Sequence, residues 1–77
     1  MQTKEFNALP LAERTRLVFS EGKLIEIFEN HNLQKGFFYK YNGLKIDVIY
    51  DKARNQLQDV IAWENSTDRV SFLKIHT

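Results

Sequence analysis

Two hydrophobic rhythms divide the chain. From Pro10 to Gly22, Leu11, Ala12, Thr15, Val18 and Phe19 recur at helical spacing, and Leu17 widens the stripe. Pro10 suits a first helical position, where its fixed φ and missing N–H are tolerated. Glu13 stands early in the segment, and Gly22 stands where a left-handed cap would close it. The pattern predicts a helix over about residues 10–21. Residues 1–9 read as a lead-in whose Phe6 and Leu9 tuck back onto the body, since a bare tail would leave Phe6 in water.

After Gly22 the rhythm changes. "KLIEIFEN", residues 23–30, is short and rich in isoleucine and phenylalanine, which favours a strand, and "HNLQK" forms the turn after it. The next two runs flank Asn42-Gly43, the pair a two-residue type I′ hairpin turn requires because both central residues need positive φ. A tight turn sets Tyr41 opposite Leu44, Tyr39 opposite Ile46 and Phe37 opposite Val48, with Tyr50 extending the same face. Three of the four aromatics in "FFYKY" thereby join an apolar core face. The other face carries Lys40 across from Lys45, Phe38 across from Asp47, and Ile49.

"DKARN" makes a second turn with Asn55 as a left-handed residue, and "QLQDVIAWE" returns as a last strand over about 56–63. A four-residue loop sets Leu57 opposite Tyr50, Ile61 opposite Ile46 and Trp63 opposite Leu44. That register puts Asp59 opposite Val48 on the apolar side, a conflict that a one-residue slip or bulge would relieve. In "NSTDRVSFLKIHT", Ser66 or Thr67 can cap and Val70, Leu73 and Lys74 follow at helical spacing, although Phe72 and Ile75 would also suit a strand. A short C-terminal helix over 66–76 is the expectation. The whole is an α+β chain: an N-terminal helix, a four-stranded antiparallel meander and a short C-terminal helix, in one small domain spanning 1–77.

Composition changes this picture in three ways. The 77 residues contain no Cys, which removes disulfides and cysteine-type zinc sites and fits a reducing compartment. No apolar stretch reaches signal-peptide or membrane-span length, so a cytoplasmic protein away from membranes is expected. The net charge is +1, divided as −1 over residues 1–34 and +2 over 35–77. That asymmetry is too small to be the footprint of a protein living on phosphate contacts.

"LPLAERTRLVFSEG" followed by "GFFYKYNGLKIDVIYDKARNQLQDVIAW" resembles a group of small uncharacterised bacterial proteins. In these a Leu-Pro-initiated helix precedes a curved antiparallel sheet with a hydrophobic–acid–Val–x–Tyr–Asp/Asn–x–x–x–Asn hairpin. Ile46, Asp47, Val48, Ile49, Tyr50, Asp51 and Asn55 carry the likeness here, and Lys52 stands where a Pro would follow Asp51. The resemblance covers most of residues 9–63. It implies a bacterial source and the same fold, and it brings no activity.

Chemistry-bearing residues are sparse. His31 falls in a predicted turn and His76 near the end, neither with a metal-ligand or triad partner at local spacing. Asp47, Asp51 and Asp59 read as members of cross-strand charge pairs rather than an acid–base dyad. "DKARNQLQD" lacks the Gly and closing Glu of a calcium loop, and glycines at 22, 36 and 43 are too scattered for a phosphate loop. No catalytic, cofactor or metal site is expected, and the chain reads as a non-enzyme. "KGFFYKY" overlaps the aromatic strand of RNA-recognition motifs at Lys35, Gly36, Phe37 and Tyr39. It departs from that pattern at Phe38, Lys40 and Asn42, and it leads into a hairpin where the motif needs a helix. Single-stranded nucleic-acid binding through Phe38, Lys35, Lys40, Lys45, Lys52 and Arg54 is therefore the second reading.

The leading reading is a protein-interaction module. Phe38, Ile49, Val60 and Ala62 are assigned to the second sheet face, bordered by Lys40, Lys45 and Asp47. Four apolar side chains on one face call for a cover, either the chain's own C-terminal helix or another molecule, and self-association through a sheet face or edge, as a two-fold homodimer, is the favoured form of the latter.

Overall fold

The computed structural model describes residues 1–29 and 34–64. The expected C-terminal helix lies outside the described residues, as do His31 and His76. Two helices, α1 (Thr3–Ala8) and α2 (Leu11–Glu21), lead into strands β1 (Lys23–Glu29), β2 (Gln34–Tyr41), β3 (Leu44–Asp51) and β4 (Gln56–Trp63). The strands form one antiparallel meander in the order β1-β2-β3-β4. This is the α+β architecture that the two rhythms predict. No helix among the described residues is long and apolar enough to cross a membrane.

Helix α2 begins at Leu11, with the Pro10 carbonyl accepting from the Glu13 and Arg14 N–H groups at 3.0 Å. Its end differs from the left-handed cap expected of Gly22. Gly22 has φ −78° and ψ 157°, and its N–H donates to the Val18 carbonyl at 2.8 Å. Close approach explains the glycine instead, since a Cβ there would stand 2.5 Å from the Val18 carbonyl oxygen and 3.2 Å from the Tyr39 ring. The lead-in, for which the sequence predicted packing but no helix, is itself a helix, α1. Phe6 is its one buried residue and is fully buried, so the segment does tuck back as its aromatic content demands.

The central hairpin has the expected register: Tyr41 opposite Leu44, Tyr39 opposite Ile46, Phe37 opposite Val48. Asn42 (φ 53°) and Gly43 (φ 80°) both sit in the left-handed region, as a type I′ turn needs. Asn55 is left-handed too (φ 53°), and the Asp51 carboxylate accepts from the N–H groups of Ala53 and Arg54 within the second turn. Strand β2 begins at Gln34, so Gln34 and Lys35 belong to the ladder rather than to the turn.

The last strand corrects one assignment. Leu57 pairs with Tyr50 as expected, but a bulge follows, after which Asp59 pairs with Ile49, Val60 with Val48, Ile61 with Asp47 and Ala62 with Ile46. The extra residue turns Val60 and Ala62 onto the helix-covered face and moves Ile61 to the other. Phe6, Val18, Leu44, Ile46, Val48, Val60 and Ala62 form the buried cluster, with Phe37, Tyr39, Tyr41, Tyr50 and Leu57 packed against it. Ring contacts link sheet to helices: Phe6 with Tyr41 at 6.1 Å and Phe19 with Tyr39 at 6.0 Å.

Candidate interaction surface

The residues assigned to a candidate interface do not lie together. Val60 (0% exposed) and Ala62 (3%) belong to the core under the helices and present no surface. Phe38, Lys40, Lys45 and Ile49 do share the second face, which follows from their register on β2 and β3. Ile49 is buried at 2% exposure, Phe38 is half-buried, and Lys40 and Lys45 are exposed. The same face holds a feature that sequence reasoning missed. Asp47 is completely buried, and the Trp63 Nε1–H donates to its Oδ2 at 2.9 Å. Only the bulged register brings that indole beside that carboxylate, because it sets Trp63 opposite Lys45, one rung from Asp47.

The basic residues of the nucleic-acid reading are dispersed. Lys35 lies on the first face, its Nζ 5.5 Å from the centre of the Phe37 ring, whereas Lys40 and Lys45 stand on the second. Lys52 in the β3–β4 turn bridges Glu29 at 2.7 Å, and this partner holds the Glu29 carboxyl below its ordinary pKa. Arg54, in the same turn, lies 3.8 Å from Asp51. A shallow pocket of about 280 Å³ lies between Lys35, Phe37, Tyr50, Asp51, Lys52 and Asn55. Its aromatic wall is the edge-to-face pair Phe37–Tyr50, centroids 5.7 Å apart. Among the described residues, no group of three or more His, Asp or Glu side chains converges to hold a metal ion. Asp59, considered above for acid–base work, forms an ion pair with Arg14 at 3.4 Å. Burial raises the Tyr39 hydroxyl pKa, with the nearby Tyr50 adding to the shift.

The two edges of the sheet differ more than its two faces. Along β4, Val60 and Ala62 direct their backbone groups away from β3, and side chains from the helical segment meet them. The Asn7 carboxamide makes two bonds to Ala62: Nδ2 donates to its carbonyl at 2.9 Å, and Oδ1 accepts from its N–H at 2.9 Å. Arg14 Nη1 donates to the Val60 carbonyl, and Arg14 Nε donates to the Leu9 carbonyl at 3.0 Å. The Val60 N–H is taken by Asp59 Oδ1 at 2.8 Å.

Strand β1 is the opposite case. The alternation carried across the paired residues Val60, Val48, Phe37 and Ile27 turns the Ile27 backbone away from β2, and no strand lies beyond it among the described residues. Leu24 (44% exposed), Ile25 (46%) and Ile27 (52%) line this edge. Phe19 at the end of α2 (48%) adjoins them through Tyr39, the residue paired with Leu24. Isolated exposed hydrophobics mean little, but contiguous ones on an open strand edge form a pairing template.

Comparison with protein-family models, with curated proteins and with solved structures returns no match to this chain.

Proposed function

We propose that this chain is a non-enzymatic interaction module of the cytoplasm that self-associates by antiparallel pairing of β1 with β1 of a second copy. One observation carries the reading: among the described residues no strand lies beyond β1, whose edge is flanked by exposed Phe19, Leu24, Ile25 and Ile27, whereas the edge of β4 is occupied by side chains. A second copy is the occupant that this edge fits. A strand paired with itself about a two-fold axis is antiparallel by symmetry, and an isologous contact closes on two subunits. Antiparallel pairing also brings Lys23 of each copy toward the end of the partner strand that carries Glu29. The bulge between Leu24 and Glu26 confines regular pairing to the segment from Glu26 onward, placing Ile27 on or beside the axis. So small a domain gains stability from the added burial.

The absence of cysteine gives a direct test. Ile27→Cys introduces a single thiol, and a short bismaleimide should convert the folded variant to a covalent dimer at micromolar protein. Arg54→Cys, in the β3–β4 turn, should remain monomeric under the same treatment. Equal yields from the two positions would mean that the contact is random and the reading wrong.

A further inference from the structure

An edge strand normally presents a row of unmet N–H and C=O groups, and it is at these that a foreign strand adds. At the middle of β4 all four outward groups are met. Ala62 has both of its backbone groups engaged by Asn7, Val60 has its carbonyl engaged by Arg14, and its N–H is engaged by Asp59. The Asn7 bonds have a particular form. A carboxamide carries an acceptor and a donor side by side, so it reproduces the reciprocal pair of bonds that a residue on an adjacent antiparallel strand would make. Both side chains come from the N-terminal segment, 55 residues from Ala62 in the case of Asn7 and 46 from Val60 in the case of Arg14.

The local structure serves that placement. Helix α1 has only six residues, too few to persist alone, and it is anchored through fully buried Phe6 directly before Asn7. Arg14 ties the junction between the helices to β4 by bonding Leu9 and Val60 at once, with its side chain only 16% exposed. We infer that Asn7 and Arg14 seal the edge of β4 against the addition of an extended strand, the β4 of another copy in particular, so that the sheet can grow only on its β1 side. The seal stands whether or not β1 pairs with itself. That it ends assembly at two copies rests on the function proposed above.

The test opens β4 with the double variant Asn7→Ala/Arg14→Ala, made both in the natural chain and in Ile27→Lys, whose lysine blocks β1. Circular dichroism checks the fold, and light scattering reads the mass. With both edges open, the chain should form assemblies larger than a dimer that grow with concentration. With β4 alone open, its mass should rise above that of Ile27→Lys. Folded double variants whose mass is unchanged in both backgrounds overturn the inference. A natural chain that is monomeric, but associates once β4 is opened, would remove the β1 reading and leave the seal standing.

Should the double variant fail to fold, amide exchange on the intact protein decides. The Ala62 N–H should exchange slowly for an edge position. Asn7→Ala should speed it on the order of 10-fold, while Asn7→Asp, which keeps the acceptor, should leave it protected. Fast Ala62 exchange in the folded natural chain would overturn the inference.

Discussion

Gly36 shows how a single position can depend on a neighbour across the sheet. A Cβ there would stand 2.0 Å from the Phe28 ring, which lies across the backbone of the residue paired with it. The ring covers a stretch of strand that has no side chain of its own, and any larger residue must displace it. Gly36→Ala should therefore destabilise the fold by about 1–3 kcal/mol, the usual range for overpacking, measured as a lower midpoint in chemical denaturation. An unchanged midpoint would mean that the ring moves aside freely. Residues under local rules were legible in the sequence. Asn42, Gly43 and Asn55 adopt positive φ because their turns require it. Gly22 and Gly36 were not legible in this way, since each is small on account of what approaches it: the Val18 carbonyl and Tyr39 in one case, Phe28 in the other. The Asp47–Trp63 bond escaped sequence reading for a related reason, because it exists only once two strands have been brought into register.

At the scale of elements, the isoleucine- and phenylalanine-rich composition of a short run located β1, the runs flanking the turns located the other three strands, and the Asn-Gly turn set the central register residue by residue. The error fell on β4, and the sequence carried a sign of it. An unbulged pairing would have put Asp59 against Val48 on the core face, and the bulge removes that conflict by shifting Val60 and Ala62 inward. The two faces of β4 now make opposite demands. Val60→Asp should cost about 3–5 kcal/mol by placing an unpaired carboxylate among Ile46, Val48 and Val18, and it should unfold much of the population in a denaturant titration. Gln58→Asp, at an exposed position of the same strand, should leave the midpoint nearly unchanged. Similar losses from the two would contradict the bulged register. Helix α1 was invisible as a helix because six residues with one buried side chain show no periodicity, although Phe6 alone was enough to predict that the segment packs.

At the scale of the whole molecule, one edge of the sheet is met by side chains, and beyond the other no strand lies among the described residues. Neither fact could be read from the sequence. Asn7 and Arg14 give no local sign of acting on a strand some fifty residues further on, and the exposure of Leu24, Ile25 and Ile27 follows from β1 being placed last in the sheet. On the function proposed above, this asymmetry leaves the meander a single direction of growth. It also moves the candidate interface. The sequence pointed to a face containing Phe38, Ile49, Val60 and Ala62, whereas the exposed apolar cluster in the structure gathers at β1 and the end of α2. Solution mass, measured by light scattering across a dilution series of the natural chain and of Ile27→Lys, tests this account most directly. It predicts twice the monomer mass for the natural chain, falling on dilution, and the monomer mass for the variant, with the two equally folded. A natural chain that stays monomeric throughout, or a variant that still dimerises, would contradict it.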